Sequence, residues 1–443
     1  MDIIHALRWR RSSSAQVYAF VGAGGKTTAI FQLAREMFRA SSAPVFVTAT
    51  THLGIWQTSN ADQHISVTDT KTLETLELKG VMLFTGKAGT ERTDPVNEEV
   101  LNWLRAAAKE NHIPLLIEAD GSRQLSLKAP AAHEPPIPNF SDIVVCVAGL
   151  SALGKPIHEA THRPEIFSAL TGLELNQPIS PESIVHMLTH PQGGLKNIPP
   201  NARKVALLNQ SETDDTQAIG GNMAGELLRH FDSVLVGSLM SNKLQTFEKT
   251  AGIILAAGSS TRFGSPKQLL DWKGQPFVRH VAETALKAGL SPVVVATGAY
   301  SEKVQEAVKG LPVEIVHNED HKQGQGTTIA RAVASLPPET GSAVFLLADQ
   351  PQIPVEIVRA LVESHINKMQ DIIIPLVLEE RRANPVLFDR VTFPNLMKLT
   401  GDVGGRAVFS MHKVEFLPWH DDKLLFDVDT PEDYQRLIND ETL

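Results

Sequence analysis

An apolar run that reads as a buried strand, Ile253-Ile254-Leu255, opens into Ala256-Ala257-Gly258-Ser259-Ser260-Thr261-Arg262-Phe263-Gly264-Ser265-Pro266-Lys267. This is a turn of small residues followed by two cations. A hydrophobic strand feeding such a turn is the device by which parallel α/β sheets set backbone N–H groups against a phosphate. A plain Gly/Ser turn is the structural alternative, but it has no need of Arg262 and Lys267. The first half of the chain is strand-first as well. Val17-Tyr18-Ala19-Phe20-Val21 is apolar, Gly22-Ala23-Gly24-Gly25-Lys26-Thr27-Thr28 follows at once, and from Ala29 the period changes. Ile30, Leu33, Ala34, Met37 and Phe38 then fall at helical spacing.

Strand, glycine loop, lysine, threonine and helix are the context that a phosphate loop requires. The reading is that the backbone of Gly22, Gly24, Gly25 and Thr28 wraps the phosphates of ATP or GTP. Lys26 neutralises the terminal phosphate, and Thr27 offers a hydroxyl to Mg²⁺. The usual form has a glycine where this chain has Phe20, so the loop is a shorter Gly-x-x-Gly-Lys-Thr-Thr. A structural glycine turn is the alternative. Leu116-Ile117-Glu118-Ala119-Asp120 ends a second apolar strand in two carboxylates, and Asp120 is the candidate magnesium partner.

At 443 residues the chain exceeds one ordinary core. The expectation is two three-layer α/β domains with mostly parallel sheets. The first is P-loop-like over residues 1–247, and the second is Rossmann-like over 248–443. Further strand candidates in the first half are Pro44–Ala49, Val81–Thr85, Ile143–Ala148, Val205–Leu208 and Val234–Val236, with a helix at Met223–His230. Met240–Thr250 lacks a strong apolar pattern. Asn209-Gln210 reads as a contact to a base edge or as a helix cap, and the proline-rich loop with His133 and Glu134 as an exposed connection. Arg163 is a candidate phosphate contact. A net charge of −9 without a long basic run argues against nucleic acid. The single cysteine, Cys146, excludes internal disulfides and cysteine-cluster metal sites. No apolar stretch approaches the roughly 20 residues of a membrane span, and the expected location is cytoplasmic.

In the second half, strands at Gly252–Ala256, Val293–Ala296, Val313–Val316, Ala343–Ala348, Ile372–Leu376 and Val414–Leu417 alternate with helical patterns. Asp349 follows one of these strands, and Asp429 precedes the last helix. A triphosphate held by the first loop and offset by Arg262 and Lys267 would meet Mg²⁺ held by Asp349 and Asp429. That set favours attack at the α-phosphate with pyrophosphate leaving.

These residues also carry a resemblance. Leu255-Ala256-Ala257-Gly258-x-Ser260-x-Arg262-Phe263-Gly264-x-x-Lys267 resembles the signature of the molybdopterin nucleotidyltransferases. Leu347-Ala348-Asp349-Gln350-Pro351, Asn384-Pro385-Val386-Leu387-Phe388, Gly401-Asp402-x-Gly404-Gly405-Arg406 and Asp427-x-Asp429-Thr430-Pro431-Glu432-Asp433 extend it over 251–440. Its Ala-Ala-Gly form is similar to the molybdenum cofactor cytidylyltransferase branch. The resemblance implies CMP transfer from CTP to the terminal phosphate of molybdenum-bound molybdopterin. Ala256, Ala257, Gly258, Arg262 and Lys267 would serve the nucleotide, and Asp349 and Asp429 would hold Mg²⁺. Asn384, Pro385, Asp402, Gly404 and Gly405 would shape the acceptor side. Arg381-Arg382-Ala383 departs from the family's usual Gly and His before Asn384, and an aromatic residue common near His321 is missing.

The first half resembles a family described as an accessory protein of selenium-dependent molybdenum hydroxylases. The matching residues are the loop at 20–28, Thr50-Thr51-His52, Glu118–Ser122, Lys128-Ala129-Pro130 and His133-Glu134-Pro135. This implies transient contact with a molybdenum hydroxylase or its chaperone. Two alternatives stand beside the cytidylyltransferase reading. One is another nucleotidyltransferase, using GTP or a different phosphate acceptor; the other is a non-catalytic cofactor-delivery adaptor.

Overall fold

The computed structural model describes residues 1–10, 15–73, 75–258, 263, 265–378 and 381–439. The chain divides into two compact units, Met1–Phe247 and Glu248–Leu443.

Unit 1 opens its sheet with β1 (Val17–Gly22), α1 (Lys26–Ser41), β2 (Val45–Ala49), β3 (Gln63–Ser66) and β4 (Val81–Thr85). It continues with α2 (Glu98–Glu110), β5 (Leu115–Glu118), β6 (Ile143–Gly149), α3 (Pro164–Thr171) and α4 (Pro181–Thr189). It closes with β7 (Arg203–Asn209), α5 (Asp214–Leu227), β8 (Ser233–Ser238) and β9 (Lys243–Phe247). The sheet runs β9-β8-β7-β6-β1-β5-β2-β4-β3, parallel throughout except for the β8–β9 pair. Alternation along β1 decides the layering. Tyr18 and Phe20 enter one apolar core, Ala19 and Val21 the other, so both sheet faces are covered. Each large side chain buried there contributes roughly 1.5–3 kcal/mol.

Two local readings change. The closing helix begins at Asp214 rather than Met223, because the Thr213 side chain accepts from the Thr216 N–H and caps it. Within that stretch Asp214, Asp215 and Asn222 stay exposed, while Gly220 is buried against Val236. The stretch without an apolar pattern forms β9, an edge strand that buries only Leu244 and Thr246 on alternate positions. An edge strand needs no apolar run. Cys146 is buried, as its apolar surroundings predict.

Unit 2 contains β10 (Lys249–Ala256), α6 (Phe277–Lys287), β11 (Val293–Thr297), β12 (Glu314–His317) and α7 (Gln325–Ala334). Then come β13 (Thr340–Leu347), α8 (Val355–Lys368), β14 (Ile372–Val377), β15 (Arg381–Arg382), β16 (Val386–Asp389), β17 (Val414–Trp419) and α9 (Pro431–Asn439). The order is β12-β11-β10-β13-β16-β14-β15, with β17 on the other edge of β14. Ile254 and Ala256 face one core, Ala251 and Ile253 the other. The sheet is mostly parallel, but β16 is antiparallel to both β13 and β14. The connection from β14 to β16 is too short for the dozen or more residues of a parallel crossover, so the chain must turn back.

In both units the strand that ends in a carboxylate lies directly beside the loop strand. β5, followed by Asp120, pairs with β1, and β13, followed by Asp349, pairs with β10. Loop and carboxylate therefore meet outside the carboxyl ends of neighbouring parallel strands, where such sheets bind ligands.

Candidate functional site

In unit 2 the loop after β10 forms the wall of a cavity of about 720 Å³. Ala256, Ala257, Gly258, Lys267, Asp349 and Asp402 all line it. A second cavity of about 310 Å³ is lined by Asn384, Gly404, Gly405 and Arg406. Leu255, Gln325 and Leu347 belong to both linings, so the two spaces share a wall. Gln325 is the first residue of α7.

Asp402, expected beside the acceptor residues, instead lines the larger cavity with the loop. The cause is the packing of Gly324 and Gly326 on the Thr400–Asp402 turn: Gly326 N–H donates to Gly401 O at 2.9 Å, and a Cβ on Gly324 would stand 2.3 Å from the Gly401 backbone. Pro385 follows Asn384 through a cis peptide bond. Arg262 lies outside the described residues. Gln268, which the sequence does not single out, is buried and donates to Gly258 O at 3.0 Å. It pins the loop from behind. Among the described residues no atom lies within 4 Å of where a Cβ on Gly258 would stand.

The electrostatics converge on one ammonium. Lys267 Nζ is 2.7 Å from Asp429 Oδ1. Burial raises the Asp349 carboxyl above the ordinary aspartate range; Lys267 opposes the rise, and Asp427 and Asp429 add to it. Gln350 Nε2 holds Asp427 Oδ1 at 2.5 Å, while its own Oε1 is buried without a hydrogen-bond partner among the described residues. Among the described residues, the Lys267 ammonium offsets a group of three carboxyls, Asp349, Asp427 and Asp429, an arrangement that fits a divalent cation. No cluster of three or more His, Cys, Asp or Glu among the described residues is arranged to hold a metal alone. Magnesium in nucleotide sites needs only one or two carboxylates besides phosphate oxygens.

In unit 1 Lys26 opens α1 and is almost fully buried. Its Nζ donates to Gly22 O at 2.6 Å and stands 3.1 Å from Asp120 Oδ1. Thr27 Oγ1 donates to Glu118 Oε2 at 2.8 Å and accepts from Gln57 Nε2 at 2.8 Å. Burial pushes the Glu118 carboxyl up, against the pull of Lys26 and the Thr27 hydrogen bond. Gly25, Lys26, Thr27 and Thr28 line a cavity of unit 1.

Two expected amide contacts are corrected. Gly22 N–H donates to Asp120 Oδ2 at 3.1 Å and Gly24 N–H to Leu125 O at 3.1 Å, so neither amide is available to a phosphate. Their glycine identity has a steric origin instead. A Cβ would meet Val147 O at 2.2 Å from Gly22 and Gly149 N at 2.4 Å from Gly24, and both have positive φ. The amides left for a ligand are those of the first turn of α1. Asn209 is corrected too: its Nδ2 donates to Gly24 O at 2.7 Å and its Oδ1 accepts from Leu239 N–H, bracing the loop rather than reading a base.

A buried ionic chain extends from the loop. Lys128 Nζ lies 3.2 Å from Asp120 Oδ2 and 3.1 Å from Glu134 Oε2, and Arg163 grips Glu134 through both of its terminal nitrogens. Burial alone would raise Glu134, yet Arg163 and Lys128 outweigh it and hold the carboxyl down at about 2. Sequence spacing hides these pairings, since Asp120, Lys128, Glu134 and Arg163 belong to different elements.

Comparison with known proteins follows the same division. The YqeC protein family model matches residues 18–165, and that of the MobA-like NTP transferase domain matches 252–416. The uncharacterized protein YqeC of Escherichia coli strain K12 is 31% identical over 231 residues, 51% of this chain and 88% of its own length. The nicotine blue oxidoreductase of Paenarthrobacter nicotinovorans is 33% identical over 198 residues, 42% of this chain and 95% of its own. A "probable molybdenum cofactor guanylyltransferase" of Bacillus mycoides strain KBAB4 is 28% identical over 139 residues, 31% of this chain and 66% of its own. The chain belongs to the YqeC family through its first unit and to the MobA-like NTP transferases through its second.

Proposed function

We propose that unit 2 transfers CMP from CTP to the terminal phosphate of molybdenum-bound molybdopterin, releasing pyrophosphate. The observation that carries this reading is the pair of cavities that share Leu255, Gln325 and Leu347. The larger suits a nucleoside triphosphate, with Gly258 leaving room for close approach and Lys267 offsetting phosphate charge. The smaller, with Asn384, Gly404 and Gly405, suits the acceptor. The similarity to a protein named as a guanylyltransferase of the same cofactor supports the acceptor. The base rests on Ala256-Ala257 before Gly258, and use of GTP is the rival outcome of the same assay.

The acceptor phosphate carries negative charge at neutral pH, so no strong general base is required, and positioning with charge neutralisation does the work. Asp349 and Asp429 are the residues that would hold Mg²⁺. When bound, the cation draws charge from the α-phosphate and the leaving pyrophosphate. Lys267 keeps the Asp429 carboxylate in place and supplies the fixed positive charge of the site. The test is pyrophosphate release with CTP and molybdopterin: Asp349→Ala abolishes it in a folded protein, and near-normal turnover at saturating Mg²⁺ would refute the assignment.

For unit 1 we propose ATP or GTP binding at the first turn of α1, with hydrolysis or phosphoryl transfer serving maturation or delivery of the cofactor to a molybdenum hydroxylase. Lys26 reaches the terminal phosphate by leaving Asp120, and Thr27 and Asp120 are the magnesium partners. Equal nucleotide affinity in wild type and Lys26→Ala would make the loop structural.

A further inference from the structure

The cavity of unit 1 is larger than one nucleotide requires. It encloses about 1290 Å³, whereas a pocket for a single small ligand spans roughly 300–1,000 Å³. Its lining includes the phosphate loop with Lys26 and Thr27 and a wall built by Thr161-His162-Arg163 and the loop at Arg123. Thr161-His162 pairs in parallel with Leu127-Lys128, which fixes that wall to the ionic chain behind the loop.

Three features of the wall point to an anion. The Thr161 side chain is 1% exposed, and its hydroxyl has no hydrogen-bond partner among the described residues. A buried hydroxyl left without a partner is costly, and a ligand oxygen would supply that partner. Arg123, on the open side of the wall, has no ion pair among those found between the described residues. Lys128 and Arg163 are both engaged by Glu134, while Glu165 sits on the exposed rim. Cations also reach this wall: burial lowers the His162 imidazole first, and Arg163, Lys128 and Arg123 lower it further against Glu134.

We propose that unit 1 binds a second ligand, a phosphate monoester or a free tetrahedral oxyanion, on Thr161 and Arg123 in the same cavity as its nucleotide. The proposal rests on the nucleotide reading of the loop only for what occupies the phosphate loop. Arg123 supplies the charge, and the Thr161 hydroxyl the buried hydrogen bond.

Hydrogen exchange of the full chain, read peptide by peptide, tests it. The chain is first saturated with a non-hydrolysable ATP analogue and Mg²⁺, then titrated with inorganic phosphate in one arm and phenyl phosphate in the other. The expected result is a second protection step confined to peptides covering 121–128 and 158–167, after peptide 20–30 is already protected. Thr161→Val and Arg123→Gln shift the midpoint of that step by about tenfold or more and leave the first step unchanged. A response only to phenyl phosphate identifies an ester site; a response to both identifies an oxyanion site. Absence of the second step, or an unchanged midpoint in both variants, overturns the proposal. Failure of the analogue to protect peptide 20–30 would instead refute the nucleotide reading, and titration of the nucleotide-free chain would still report the second site.

Discussion

Lys267 Nζ stands 2.7 Å from Asp429 Oδ1, and the same ammonium is the charge that opposes the rise of the Asp349 carboxyl. The lysine thus links two carboxylates that are far apart in sequence, one just past β13 and one just before α9. Lys267→Met removes the ammonium that pairs with Asp429 and offsets the charge of Asp349. Turnover, followed by pyrophosphate release, is expected to fall by about 10²-fold or more.

Asp349 also sets a conflict between stability and activity. Its carboxyl is raised in the folded protein by burial first and by its acidic neighbours next. A carboxyl held above its unfolded value lowers stability wherever it is ionised. That cost is complete above the folded value and vanishes as pH falls below the unfolded value of 3.8. Asp349→Asn therefore raises the urea midpoint of unit 2 near pH 8 while abolishing turnover. The gain shrinks as pH approaches 3.8, and denaturation curves at several pH values check this.

Glu134 carries the opposite sign. Held down at about 2, it contributes stability that is present above 4.5 and lost as pH falls from there toward 2. Glu134→Gln is expected to lower the midpoint of unit 1 at neutral pH and to flatten its acid limb over that window. Urea titrations read by circular dichroism provide the comparison.

Two glycines of the two loops separate packing from binding. Gly22→Ala drives a Cβ against Val147 O at 2.2 Å in a backbone with φ +89. It is expected to destabilise by more than about 1 kcal/mol. Among the described residues Gly258→Ala meets nothing within 4 Å, and stability is expected to stay within about 0.5 kcal/mol of wild type while nucleotide affinity falls. Thermal melts and nucleotide titrations distinguish the two.

What sequence makes legible here is local. Val17–Val21 and Ile253–Leu255 announce strands because apolar side chains run unbroken through a sheet covered on both faces. The loops after them are legible because glycine, lysine and threonine have few other reasons to stand in that order. What stays hidden depends on distant partners. Gln268 matters through the Gly258 carbonyl, and Asn209 through the carbonyl of Gly24. The ionic chain from Lys26 through Asp120, Lys128 and Glu134 to Arg163 is assembled only when its separate elements fold together. Glycine is ambiguous in sequence because a close backbone pass and an anion cradle ask for the same residue. At Gly22 the structure shows the close backbone pass, with Val147 O 2.2 Å from where a Cβ would stand.

The central claim is nucleotidyl transfer to a pterin phosphate with cytosine as the base. The most direct measurement offers CTP, GTP, ATP and UTP separately to the full chain with molybdenum-bound molybdopterin and Mg²⁺, and determines product mass alongside pyrophosphate. The account predicts pyrophosphate with CTP, a product heavier by one CMP, and neither signal in Asp349→Ala. A guanine-bearing product would contradict the choice of base, and nucleotide binding with no pyrophosphate from any of the four would contradict the transfer itself.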